Sequence, residues 1–382
     1  MKHHVDSNNE QVGSGVTLIG CGFVADLYMR SFAAHPEICV HGAFDNDTAR
    51  MAAFCTHWGI AALPSLKAAY AVTPKNSLIV NLTNPTEHAG VIRSALEAGF
   101  NVWSEKPMTM ALKDAVELNA LAQAKGLQLA SAPSSVLSQA AQTLAKAVRD
   151  GHAGTPRLIY AELDDGFIPQ APLEMWASES GAPWPVVDEF RTGCTLEHAG
   201  YYLSWLIAMF GAVTRVASVP ATVLPDKLGV TDAAPDFAVA VLWFEGGPVA
   251  RLTCSIVAPH DHRIRVIGDT GVLEMPRAWD NGAPVRLYKR KVIRRRLLEL
   301  PIGRKVKIKG ETHPHLPRWG AASMNFALGP AEMLGAIAAG RVSRLSGAYA
   351  VHLTEVTLAV QAGGDQEMTT TCSAMEPMPW AL

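Results

Sequence analysis

Val16-Thr17-Leu18-Ile19-Gly20-Cys21-Gly22-Phe23-Val24-Ala25 is the stretch that decides the fold. A short β-branched and apolar run feeds into G-x-G-x-x-A, and Asp26-Leu27-Tyr28-Met29-Arg30 continues with a helical pattern. Strand, tight turn and helix in that order make the dinucleotide-binding fingerprint in the context it requires. Gly20 permits the turn, Gly22 lets backbone approach a pyrophosphate, and Ala25 is small enough for close helix–strand packing. A helix opening at Phe23 and Val24 offers unpaired N–H groups and the positive end of its dipole to phosphate. The second strand, Ile38-Cys39-Val40-His41-Gly42-Ala43-Phe44-Asp45, ends in an acid about 20 residues past the fingerprint, where a ribose hydroxyl is received. Asn46, not arginine, follows Asp45, which favours NAD over NADP because an acid repels a 2′-phosphate and no nearby cation offsets it; Arg50 lies on the helix beyond.

The rest of the first third repeats the rhythm. Helices are expected from about 47 to 57, 65 to 70, 86 to 98 and 111 to 124. Strands are expected over 59–63, 78–83, 101–104 and 127–130. Strands alternating with helices make a doubly wound parallel sheet, an α/β Rossmann domain over 16–131. After Ala132-Pro133-Ser134 the pattern changes. A helix over 138–150, a strand over 158–163 and a loop rich in Gly, Pro and Trp precede a strand-rich region from Val213, whose turn signals imply hairpins. Residues 132–382 are therefore expected to form an α+β domain with an open, mainly antiparallel sheet, closed by helices near 325–339 and 347–362. Residues 1–15 are polar and read as a disordered lead-in.

Bulk properties exclude several classes. Of 382 residues, 49% are hydrophobic and 18% charged, with a net charge of −2, so nucleic acid is not the expected partner. No apolar run is long enough to span a membrane. The six cysteines are scattered without C-x-x-C spacing, as expected of a cytoplasmic protein. His260 and His262, like His313 and His315, are spaced i, i+2 with no accompanying acid or cysteine set, so no metal site is expected, although they could be loop histidines near a substrate mouth. The basic run from Arg286 to Lys309 alternates with Leu and Val and reads as exposed strands or a hairpin, with an anion landing site as the other reading.

Two patches carry chemistry. Glu105-Lys106-Pro107 follows a parallel strand, at the edge where doubly wound sheets bind ligands. A lysine there can meet a substrate hydroxyl and the nicotinamide ribose, its pKa lowered by the positive ring, or it can be a solvated strand-end lysine. In Gly193-Cys194-Thr195-Leu196-Glu197-His198-Ala199-Gly200-Tyr201-Tyr202, read as one helix, His198 and Tyr202 share a stripe and can face one cavity.

With Thr83-Asn84-Pro85 and His88 added, the sequence resembles the glucose–fructose oxidoreductase / inositol dehydrogenase / rhizopine catabolism (Gfo/Idh/MocA) family from Val16 to about Ala362. The resemblance implies an NAD-dependent dehydrogenase that interconverts a secondary hydroxyl and a ketone on a sugar, polyol or sugar derivative, acting as a homo-oligomer, a dimer or tetramer. It assigns Gly20, Gly22, Phe23, Val24, Asp45, Thr83, Asn84, His88, Glu105 and Lys106 to the cofactor. Lys106 and Tyr202 become the proton-transfer pair, with His198 orienting the substrate. His198 stands where the family usually has Asp, and Ser134 and Ser135 stand where many members have a substrate-facing Asn-Arg segment. Two other readings fit the same residues: a glycoside hydrolase working through transient oxidation, and a non-enzymatic nucleotide-binding regulator.

Overall fold

The computed structural model describes residues 14–245 and 247–382, so the expected lead-in lies, up to residue 13, outside the described residues. The fingerprint forms β1 (Gly15–Ile19) and α1 (Phe23–Phe32). With β2 (Cys39–Phe44), β3 (Leu78–Asn81), β4 (Asn101–Ser104) and β5 (Leu129–Ser131), β1 builds a parallel sheet of order β2-β1-β3-β4-β5. Where the sequence suggests a strand over 59–63, a single parallel bridge joins Ala62 to Ala43 of β2. The strands are apolar without alternation because both faces of the sheet are covered. Leu78 and Val80 enter one core with Val16, Leu18 and Trp103, whereas Ile79 enters the other with Ile19, Val102 and Leu129.

The covering helices are α2 (Thr48–Trp58), α3 (Leu66–Val72), α4 (His88–Glu97) and α5 (Leu112–Ala124). Local chemistry sets their ends. Asp47 and Ser65 accept from the backbone N–H of Arg50 and Ala68, and Gly59 ends α2 in the left-handed region at φ 65°.

The second half begins with α6 (Gln139–Arg149), β6 (Pro156–Asp164), α7 (Val186–Thr192), α8 (Gly200–Phe210) and β7 (Val213–Ala221). It continues through β8 (Phe237–Phe244), β9 (Val249–Ser255), β10 (Ile264–Gly268), β11 (Gly271–Met275), β12 (Val285–Ile293), β13 (Arg296–Glu299) and β14 (Arg304–Val306), and β15 (Gly364–Glu367) lies near the end. The strands form one open sheet of order β13-β12-β11-β10-β6-β9-β8-β7-β15, with β14 also on β12. It is antiparallel except between β6 and β9. The basic run is the exposed β12–β13 hairpin at one edge, turning at Arg294. None of its cations lines the cleft at the fingerprint helix or the indole-walled chamber beside it, which leaves the solvated-strand reading.

The two halves are bound at several points. α9 (Leu328–Ala338) lies so close to the first sheet that a Cβ on Gly329 would stand 2.0 Å from the Trp103 ring. Ser346 bridges antiparallel to Ala130, extending the β5 edge just before α10 (Ala348–Ala362). Asp26 on α1 is fully buried and accepts from Trp58 Nε1 and from the amide and hydroxyl of Ser180, in the loop before α7. Asp26→Ala should therefore lower unfolding stability by about 1–3 kcal/mol in denaturant titration, because three donors lose their acceptor.

Candidate active site

β1 and β3 end where their connections depart to opposite sides of the sheet, the place where ligands bind in doubly wound folds. A cleft of about 660 Å³ opens there, with Gly22, Phe23, Val24, Leu82, Thr83 and Asn84 on one side and Lys106, Glu197, His198, Tyr201 and Trp279 on the other. The two fingerprint glycines differ in kind. Gly20 has φ +102°, and a Cβ on it would fall 2.6 Å from the Leu82 backbone. Gly22 caps α1 in ordinary extended backbone, and a Cβ there would meet nothing within 4 Å. The fold thus demands glycine at 20 but not at 22, and the space beside Gly22, at a helix end with no side-chain cap, suits a pyrophosphate.

Asp45 ends β2 as expected, its carboxylate accepting from the amides of Cys21 and Asp47, 2.8 Å each, which ties the glycine turn to the neighbouring strand. One expectation is corrected: Arg50 Nη1 lies 3.7 Å from Asp45 Oδ2 and also lines the cleft, so a cation does stand nearby. One turn of α2 beyond the Asp47 cap brings it back. Thr83 donates its hydroxyl to Asn81 Oδ1, and Asn84 Nδ2 donates to Asp188 of α7 at 2.6 Å, across the cleft.

His88 is not on the cofactor side. Its ring is fully buried, with Nδ1 2.7 Å from the Pro107 carbonyl and Nε2 2.9 Å from that of Thr83. A neutral imidazole can donate to only one of them. Burial holds its pKa below the ordinary value, against the pull of both carbonyls. It is a positioning residue that ties the loops after β3 and β4 together. Glu105 lines the cleft, but its carboxylate already accepts from Tyr28 Oη and the Lys106 amide, and Trp103 Nε1 donates to that phenol.

Lys106 Nζ pairs with Glu197, a residue to which the sequence pattern assigned no role. Burial alone would lower the lysine pKa, yet Glu197, with Tyr201, Glu189 and Glu105 around it, holds it above the ordinary value. The expected depression is absent, and the group is a fixed cation. Burial and the neighbouring Glu197 raise Glu189, on α7.

Tyr202 is also corrected. It is 0% exposed, and its hydroxyl donates to the carbonyl of His262, away from the cleft. Its neighbour Tyr201 lines the cleft instead. The reason is a wide π-helical turn over Thr195–Ala199 leading into α8, where the sequence suggests an uninterrupted α-helix. The extra residue in such a turn rotates the helix beyond it, and π turns recur at functional sites. His198 keeps its place on the cleft, with Nδ1 2.7 Å from Asp165 Oδ2. Burial opposes its charge, but Asp165 outweighs burial and lifts it to about 9.

Behind His198 the cleft continues into a chamber of about 220 Å³ walled by Trp176, Trp184, Phe190 and Trp279, with Asp165, Glu189, Glu197 and His260 among them. His260 thus lies on the chamber wall. His313 does not: it is buried and its Nε2 accepts from the Gln139 amide. Ser134 and Ser135 line a small void of about 10 Å³ that shares Glu105, Lys106 and Tyr201 with the cleft, and their hydroxyls bond to Phe326, Gly329 and Trp205.

Residues 14–132 match the profile described as an oxidoreductase family with an NAD-binding Rossmann fold, and 141–274 match the GFO/IDH/MocA C-terminal domain. A D-apiose dehydrogenase from Paraburkholderia graminis is 25% identical over 242 residues, covering 62% of this chain and 59% of that protein. A dTDP-3,4-didehydro-2,6-dideoxy-α-D-glucose 3-reductase from Streptomyces antibioticus is 32% identical over 141 residues, 36% of this chain and 43% of that protein. The chain therefore spans only about half the length of these relatives. An inositol dehydrogenase homolog from Azotobacter vinelandii, solved with NADH and myo-inositol, shares the fold at TM-score 0.70 and 18% identity, over 93% of this chain and 98% of that one. The two glycines give a direct test. Gly22→Val should leave stability within about 0.5 kcal/mol while abolishing NAD binding in fluorescence titration, whereas Gly20→Ala should lose more than about 2 kcal/mol.

Proposed function

The chain belongs to the Gfo/Idh/MocA family of oxidoreductases with an NAD-binding Rossmann fold, and from that membership we propose that it interconverts a secondary hydroxyl and a ketone on a sugar, polyol or sugar derivative. The observation that carries this reading is the Lys106–Glu197 pair, set where the dinucleotide side of the cleft meets the chamber. Bound NAD(H) would supply the hydride acceptor or donor. Gly22, Phe23 and Val24 would receive the pyrophosphate on the α1 N-terminus, Asp45 the adenosine ribose, and Thr83 and Asn84 the opposite wall.

Lys106, held cationic, donates to the substrate oxygen and stabilises the negative charge that develops as the hydroxyl proton leaves. Glu197 keeps the ammonium aimed and takes a proton from it as Lys106 receives the one leaving the substrate hydroxyl, so the lysine remains cationic and the carboxylate ends protonated. Tyr201 takes the role expected of Tyr202, and His198, charged against Asp165, orients the substrate. The chamber's indole faces suit the C–H faces of a sugar ring, with carboxylates to receive its hydroxyls.

We also propose residues 16–131 and 132–382 as the two working units, a homo-oligomer, and a cytoplasmic location. Half-exposed residues alternate along β8, and Val292, Leu297 and Leu298 are bare on the hairpin, which supports a partner surface. The cysteines form no disulfide among the described residues, and no described helix is long and apolar enough to cross a membrane.

Screening sugars and polyols for NADH formation tests the reading; glycoside release without net NADH would favour the hydrolase instead. On a verified substrate, Lys106→Met should lower turnover by about 10²–10⁴-fold with NAD binding retained. Tyr201→Phe should lose more turnover than Tyr202→Phe, which should chiefly lose stability. Wild type should bind NAD more tightly than NADP, and Asp45→Ala should narrow that gap, because Arg50 is then free to meet a 2′-phosphate.

A further inference from the structure

The acid between the i, i+2 histidines His260 and His262, Asp261, is paired with Arg263, so a carboxylate ligand must come from elsewhere. The fold supplies one from the end of β6: Asp165, 97 residues before His262. One ligand atom from each of Asp165, His260 and His262 lies within 4.8 Å of the other two. We propose that these three residues bind a divalent transition-metal cation of the zinc class on the wall of the chamber.

The donor set fits that class. Two imidazoles and one carboxylate suit Zn²⁺, Co²⁺ or Fe²⁺ and leave coordination positions open. The carboxylate is already turned to one of the two imidazoles: Asp165 Oδ1 stands 2.5 Å from His262 Nε2, while Oδ2 pairs with His198 Nδ1 at 2.7 Å. A divalent cation between Oδ1 and the two imidazoles would take the place of the proton that Asp165 and His262 share, and leave the His198 pair intact.

The backbone carrying the ligands is fixed on every side. Asp164 and Asp261 exchange amide-to-carbonyl hydrogen bonds of 3.0 and 2.8 Å, and the Asp165 amide donates to Ser255 at 2.9 Å. His262 bridges to Arg277, its carbonyl accepts the Tyr202 hydroxyl, and its ring meets Trp279 edge-on at 4.4 Å. This gives Tyr202 a task in place of proton transfer: it positions a ligand. Such supporting contacts are what hold metal ligands in their productive geometry.

Asp165 and His260 line the chamber, so the open positions face it and would take substrate oxygens, a pair of adjacent hydroxyls being the natural chelate. That last step rests on the dehydrogenase reading; the metal site itself does not. The full chain, stripped with EDTA, is titrated with Co²⁺ and followed by its visible absorption, then challenged with Zn²⁺. A single tight equivalent, displaced by Zn²⁺, is expected. His260→Ala and Asp165→Asn should each weaken Co²⁺ binding by about 10–100-fold, while the exposed His315→Ala leaves it unchanged. NAD titration of each variant checks that it has folded. No Co²⁺ bands, or equal affinity in folded wild type, His260→Ala and Asp165→Asn, would overturn the proposal and leave Asp165 as a hydrogen-bond acceptor for His262. Neither result depends on finding a substrate.

Discussion

A lysine that leaves water at the end of β4 cannot be left without a counter-charge, and Glu197, from the other half of the molecule, is what meets it. Removing one member of a buried pair typically costs about 3–5 kcal/mol, far more than the pair contributes over an apolar replacement. The pair is thus a condition on the assembly rather than a source of stability. It requires the Rossmann strand and the π-helical turn to arrive together, and much of the interior is arranged to bring them there. His88 fixes the approach of the Glu105–Pro107 loop, and Asp26 and Asn84 hold the segment around α7 against the cleft.

The parts of the molecule legible in the sequence are those governed by local rules. The strand–glycine–helix order, the Asp47 and Ser65 caps and the apolar runs of β3 and β4 each follow from a few adjacent residues, and they define the parallel sheet and the cofactor side of the cleft. The open second sheet was legible for a similar reason, since turn signals punctuate its strands. The substrate side was less so. Tyr202 and Tyr201 exchange places because one wide turn upstream rotates the helix, and no periodicity reports a π turn. Arg50 reaches Asp45 through a helical turn that a linear reading passes over. His88 sits in a motif the family resemblance assigns to the cofactor, yet its bonds to two carbonyls exist only once two loops are folded against each other.

Asp165 shows the same limit on a larger scale. Its partners, His198, His260 and His262, come from a helix and a loop widely separated from it in sequence. Nothing in the acid's own neighbourhood marks it, whereas three contacts in space do. The carboxylates and indoles of the chamber were likewise scattered through a loop that read only as rich in Gly, Pro and Trp.

The return of α9 and Ser346 to the first sheet has a bearing on how the chain is made. The strands of the Rossmann half are complete by Ser131, but Trp103 keeps an uncovered face and β5 an open edge until residues 328–346 arrive. During synthesis at about 5–20 residues per second, roughly two hundred further residues must emerge before that surface is sealed. The nascent amino-terminal half therefore spends tens of seconds on the ribosome as an unfinished platform with a sticky flank. That interval is when a chaperone would be needed, even though the finished protein gives no hint of such dependence.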